Sequence, residues 1–357
     1  MTTTAPRPVQ TTEPELPRGH RPLPRWAPWA VAAVALVVAL VLRAVLGSGP
    51  VLTAVFAAVV FTMLTNVVSR TVEGPRRAAD RTVTAVVTTM FAAAMVPLVS
   101  LLYTVVTRGA QRFDVDFFTL TMRNVVGEGG GALHAIVGTL IITGIAAVIS
   151  IPIGVLTAIY LVEYGRGRLA RAVTFLVDVM TGIPSIVAGL FAYALFVVFF
   201  GPGVRFGIGG SVALSVLMVP VVVRSVEEML KLVPAELREA SYALGVPKWR
   251  TILKVVLPAA AAGIATGITL SVARVIGETA PLLLIVGTTT SLNLDPFNGR
   301  MATLPVFTFQ SFFQPGARPQ PSIDRAWTAA LVLMLIVLSL NLLARVIAKA
   351  FAPKGSR

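Results

Sequence analysis

The chain has 357 residues, 56% of them hydrophobic and only 13% charged, too little polar surface to wrap a water-soluble core of this size. Its net charge of +14 comes from 30 Lys and Arg against 16 Asp and Glu, and it could suggest nucleic acid unless the positive residues have another use. With no cysteine, a disulfide framework, a Cys-based zinc site and a thiol nucleophile are all excluded. Only His20 and His134 could supply imidazole, so no metal site is expected, and no cofactor either.

Residues 1–25 are rich in Thr, Pro and Arg and read as a disordered tail rather than a signal peptide. Apolar runs of about 18 or more residues then recur, each long enough to cross a bilayer as a helix. They predict an all-α polytopic transmembrane bundle of about eight helices. The ten-residue alternation of a membrane barrel is absent from the sequence. Segments near 27–46 and 51–68, joined by "GSGP", form a hairpin assigned to residues 26–70. A basic linker, "SRTVEGPRRAADR" (71–81 at its core), leads to a third segment near 82–107. The fourth, about 132–160, follows "GEGGG". The fifth, about 170–200, is interrupted by "GIPS", which places a bend at Pro184. A sixth spans about 210–226. The seventh, about 255–288, is too long for one straight crossing, and Gly277 and Pro281 mark its kink or break. The last covers about 326–348, before a short tail at 352–357.

With an even number of crossings, positive charge sorts to one side. Arg70, Arg76, Arg77, Arg81, Arg166, Arg168, Arg171, Arg238, Lys248 and Lys349 share a side with the N-terminal tail, and the opposite loops hold fewer. The positive-inside rule makes that side cytoplasmic and places both termini there, in a cell membrane. The basicity is then topogenic, and no nucleic-acid partner is expected.

Between segments six and seven lies "ELREASYALGVPKWRTILKVVLP" (236–258), a compact charged element amid oily neighbours. Pro234 suits a helix start, with Glu236 and Glu239 in the N-terminal part, where the dipole favours acids. Leu237, Ala240, Ser241 and Leu244 repeat at helical spacing as one small-to-apolar face. Gly245 ends the helix and Pro247 starts the next. A short apolar stripe rimmed by charge suits a groove on another protein.

The order Glu239-Ala240-Ser241, three residues, Gly245, nine residues, then Val255-Val256-Leu257-Pro258 resembles the EAA loop of ABC importer permeases. Ser241 stands where that pattern has Ala, and Val255 where it has Ile. Further stretches resemble the PstA-type permeases of phosphate importers: "IYLVEYGRG" (159–167), "PSIVAGLF" (184–191), "VPVVVRSVEEMLKLVP" (219–234), "ARVIGETAPLLL" (273–284) and "LNLLARVIAKAF" (340–351). The resemblance covers roughly 82–351, a six-helix permease core with its EAA loop at 234–258, and leaves the first hairpin outside it. It implies a transport subunit rather than an enzyme. Its partners would be a sister PstC-type permease, two copies of a PstB-type ATPase, an extracytoplasmic PstS-type binding protein and the lipid bilayer. Glu239, Ala240, Ser241, Gly245, Leu237 and Leu244 would couple it to the ATPase. The chain itself contains no Gly-x-x-x-x-Gly-Lys-Ser/Thr sequence to cradle nucleotide phosphates.

Arg274 lies 16 residues past Pro258, roughly 24 Å along a helix, and an arginine at that depth should face the bundle interior or water. Glu278 is one turn on. Two readings, not exclusive of each other, are that the two form a self-satisfied ion pair across the kink, and that Arg274 offers paired donors to a passing oxyanion while Glu278 moderates its grip. The resemblance places Arg274, Glu278 and Thr279 on the translocation path. Asp178 either pairs with a basic residue on the cytoplasmic side or serves a gate, together with Pro184, Ser185, Gly277 and Pro281. Gly263 and Gly267 form a small-xxx-small face for this subunit or for a partner. A permease for sulfate or molybdate is the alternative. An ATP-independent secondary transporter would show inverted repeats and several intramembrane acids, which the sequence lacks.

Overall fold

The computed structural model describes residues 23, 24, 26–316 and 318–351; of the two tails, 352–357 and all but two residues of 1–25 lie outside this set. Among the described residues every regular element is helical. Contacts divide the chain into two compact units, Met1–Leu102 and Tyr103–Arg357.

In the first unit, α1 (Ala27–Leu46) and α2 (Pro50–Glu73) pair as the expected hairpin. Ala27, Ala35 and Ala39 are buried along α1, because small side chains let two helix backbones approach. Most of the Val and Leu residues around them stay exposed, as suits contact with lipid tails. α3 (Pro75–Gly109) follows at once. The linker expected at 71–81 is therefore helical apart from Gly74, whose φ of 88° turns the chain in a region open chiefly to glycine. Glu73 is buried at this turn and accepts from the Arg81 guanidinium, from Ser69 Oγ at 2.8 Å and from the Leu23 N–H at 2.7 Å. A buried carboxylate needs such a full set of donors.

The second unit opens with the last turns of α3 and the short α4 (Val115–Thr119), capped by Asp114 accepting from the Phe117 N–H at 2.8 Å. The "GEGGG" loop follows. Arg325, only 4% exposed, donates to the carbonyls of Gly127 and Gly129 at 2.8 and 3.0 Å, and Arg112 to that of Gly130 at 3.0 Å. Then come α5 (Leu133–Ile159), a π-helical turn at Tyr160–Tyr164, α6 (Gly167–Thr181), α7 (Ser185–Phe200) and α8 (Gly207–Lys231). The chain continues through α9 (Ala235–Ala243), α10 (Lys248–Thr251), a second π-helical turn at Ile252–Val256, and α11 (Leu257–Val275). It ends with α12 (Ala280–Ile285), α13 (Leu304–Phe313) and α14 (Pro319–Phe351).

Seven helical stretches among the described residues are long and apolar enough to span a bilayer. The α6–α7 pair makes an eighth if taken as one span, although it bends by 108°. The sequence expects a bend at Pro184; the structure shows a full break. α8 is the central element, packed by α5, α6, α7, α11 and α12. Glycines set its close approaches. A Cβ on Gly154 of α5 would fall 2.6 Å from Val222 Cγ1, and Cβ atoms on Gly263 and Gly267 of α11 would fall 2.4 Å from Met229 Sδ and 2.7 Å from Ser225 Cβ. The small-xxx-small face of α11 is thus used inside this chain.

α13 gives the stretch between α12 and α14 a buried apolar helix. Leu304, Pro305, Val306 and Phe307 are buried, and Leu304 and Phe307 pack with Phe117, Ala132, Ala135, Ala329 and Val332 in a second core. The apolar run "LPVF" would otherwise be left in water, and burying it is favourable at roughly 25 cal/mol per Å².

Candidate functional site

The charged loop is built from its own local chemistry. α9 starts behind Pro234 with Glu236 in its first turn and stops at Leu244. Gly245 takes φ of 75°. Its N–H reaches Tyr242 O at 2.9 Å while the Val246 N–H reaches Ser241 O at 3.2 Å, the paired closure of a Schellman motif. Pro247 then caps α10, which runs through the π-helical turn into α11. Lys248–Val275 is therefore one helical stretch, and the loop's second half continues into a span.

The apolar stripe expected on α9 is corrected at one position. Leu237, Ala240 and Leu244 are exposed, Leu244 to 83%, whereas Ser241 is only 7% exposed and its Oγ lies 2.8 Å from Thr251 Oγ1. Helical spacing groups these residues, but the return of the chain at Gly245 covers the Ser241 side. Ser241 fastens α9 to α10. Tyr242, Trp249 and Leu253 enlarge the exposed apolar surface, and Glu236 and Glu239 form no ion pair within the described residues.

Below the loop, Arg238 donates through Nε and Nη2 to Glu163 Oε1 at 3.1 and 2.9 Å, through Nη1 to Val233 O at 2.7 Å, and through Nη2 to Leu230 O at 3.0 Å. Lys248 donates to the Glu163 carbonyl and sits 4.8 Å above the Tyr164 ring. Sequence reasoning missed Glu163 as part of the site. Its signal was an acid directly after an apolar run, with no basic residue a turn before it on its own helix.

The second part of the site lies where two helices break. α6 stops at Thr181 and α7 restarts at Ser185, with Pro184 extended at its cap. α11 stops at Val275 and α12 restarts at Ala280. The two restarts pack closely: a Cβ on Gly189 would fall 2.5 Å from Pro281 Cα. Gly189→Val forces apart two backbones that cannot step aside, and should cost about 1–3 kcal/mol. The check is a lower unfolding temperature in detergent.

Between the breaks, Thr181, Ser185, Leu217, Val221, Arg274 and Glu278 line a cavity of about 180 Å³. Arg274 and Glu278 are brought together there, but no ion pair joins them. The self-satisfied pair is set aside: α11 ends at Val275, so Glu278 lies beyond the helical register that makes residues four apart into neighbours. Thr181 Oγ1 bonds back to Val177 O at 2.8 Å. Thr279 and Gly277 do not line this cavity; they line another, of about 640 Å³, with Phe309, Phe312, Trp327 and Met334. Asp178 is drawn into a chain of charges. It pairs with Arg224, whose Nη1 also holds Glu227 at 2.6 Å, and Lys231 adds a contact to Glu227 at 2.7 Å.

Comparison with known proteins gives a consistent pattern. A family model described as "Binding-protein-dependent transport system inner membrane component" matches residues 150–357. The phosphate transport system permease protein PstA 1 of Mycobacterium tuberculosis (strain ATCC 25618 / H37Rv) is 48% identical over 277 residues, covering 76% of this chain and 88% of the relative. PstA of Pasteurella multocida (strain Pm70) is 40% identical over 260 residues, covering 72% of this chain and 88% of the relative. Among solved structures, a bacterial alginate ABC transporter in complex with a periplasmic protein bound to alginate pentasaccharide matches with a TM-score of 0.55. The identity is 14%, over 78% of this chain and 97% of the other; this likeness is one of fold alone.

Proposed function

Because the chain belongs to the family of binding-protein-dependent transport system inner membrane components, and within it to the PstA-type permeases, we propose that it carries inorganic phosphate inward in an importer driven by ATP on another subunit. It is a non-catalytic, multi-pass membrane permease. In this reading it forms the path with a PstC-type sister, binds two PstB-type ATPase subunits and receives phosphate from a PstS-type protein. The charged loop and both termini face the cytoplasm, as the distribution of Arg and Lys supports.

The observation that carries the reading is the cavity between the two breaks. An arginine with no ion-pair partner among the described residues faces it beside one carboxylate and the Ser185 hydroxyl. Guanidinium offers parallel donors to a phosphate's oxygens, and the nearby carboxylate weakens the hold so that the anion can leave. Broken helices are tolerated in a membrane where their freed backbone groups face protein or a wet cavity. α11 joins this cavity to the loop by continuous helix, so a displacement of the loop reaches Arg274.

The test is uptake by proteoliposomes holding the four kinds of subunit, with labelled phosphate, sulfate or molybdate outside and ATP inside. Phosphate accumulation that needs ATP supports the proposal. ATP-driven accumulation of sulfate or molybdate, with phosphate excluded, refutes the substrate assignment.

A further inference from the structure

We infer that Glu163 is a second point of force transmission: it pins the coupling loop to α5, so that the loop drives α5 as well as α11. The inference rests on the reading above, in which an ATPase grips the loop. α11 is connected to the loop by the chain itself. α5 is not, yet its end is tied to both halves of the loop. Arg238 of α9 holds the Glu163 carboxylate, and Lys248 of α10 holds the Glu163 carbonyl.

Three features make this tie suited to carrying force. Glu163 has only 5% of its side chain exposed and Arg238 18%, so water competes weakly for the contact. The same guanidinium holds the Leu230 carbonyl in the last turn of α8 and the Val233 carbonyl just past it, which fixes the pivot. Each driven helix meets the loop through a π-helical turn, Tyr160–Tyr164 on α5 and Ile252–Val256 on α11. Such turns interrupt the regular ladder and often mark functional positions. At its far end α5 grips the buried 301–304 stretch: a Cβ on Gly138 would fall 2.0 Å from Ala302 O, and Thr139 Oγ1 accepts from the Leu304 N–H at 2.7 Å. Motion applied at Glu163 therefore arrives at the loop preceding α13. Glu163 touches no substrate and is a positioning residue.

The test uses the full reconstituted complex and reads phosphate taken up per ATP hydrolysed. Glu163→Gln keeps the shape but removes the charge, and should lower that ratio about tenfold, the scale of an ordinary coupling free energy, with the complex assembled and ATP hydrolysis maintained. The chain has no cysteine, so Glu163→Cys with Arg238→Cys gives a clean second arm. The unlinked pair should be uncoupled, and joining it with a short bifunctional thiol reagent should restore the ratio. A purely structural role would not respond to relinking. An unchanged ratio in Glu163→Gln, or an assembled, linked pair that stays uncoupled, overturns the inference. Absence of ATP-driven uptake in the wild-type complex would instead strike the functional reading beneath it.

Discussion

Arg274→Ala is expected to lower ATP-driven phosphate uptake roughly ten- to hundredfold, the range for losing a hydrogen-bonded contact with a charged group of about 1.5–3 kcal/mol. Assembly should be unaffected, because the side chain is exposed in this subunit and forms no ion pair among the described residues. Arg274→Lys separates charge from geometry. It keeps the positive potential in the cavity but loses the planar fork, so uptake should fall between wild type and alanine. Initial rates at several phosphate concentrations, with co-purification of the subunits as control, make the comparison. Equal rates in all three proteins would remove Arg274 from the path.

Gly245→Trp should abolish docking of the ATPase subunit, and with it both stimulated hydrolysis and uptake. Two effects act at this position and can be separated. Any side chain at φ of 75° is strained by roughly 1–2 kcal/mol, so Gly245→Ala reports strain alone and should leave docking measurable. Bulk is a different matter. A Cβ here meets nothing within 4 Å in this chain, so an indole can be housed on the exposed side of the loop, where Leu244 also stands. It would then collide with whatever grips that surface. Pull-down of the ATPase subunit by each variant gives the readout. Full binding by the tryptophan variant would mean that the partner docks elsewhere.

What could be read from the sequence follows how local each signal is. Gly245 is legible because a helix stop depends on a few neighbouring residues and one backbone angle. Arg274 is legible because a lone cation in an apolar run has few reasons to exist. Pro184 and the Gly277–Pro281 pair announce breaks, but the 108° between α6 and α7 depends on what each half packs against. Ser241 shows the limit of periodicity, which groups residues on a face without saying which face is covered. The resemblance puts Thr279 on the path with Glu278, while the break between α11 and α12 leaves it lining a different cavity. The Glu163 tie was out of reach, since its partners lie 75 and 85 residues away and only the packed bundle brings them together. The hairpin of α1 and α2 was recognised as a hairpin, while the buried Glu73–Arg81 contact at its base depends on Gly74 leading directly from one helix into the next.

The central claim is that this permease does no work of its own and is moved through its coupling loop by an ATPase on another chain. Phosphate flux into proteoliposomes carrying the two permeases, with and without the ATPase subunits and ATP, tests it most directly. The account predicts uptake against a gradient only when ATPase, ATP and loaded binding protein are all present, and negligible flux from the permeases alone. Rapid uptake by this chain down a phosphate gradient, with no ATPase in the membrane, would contradict it.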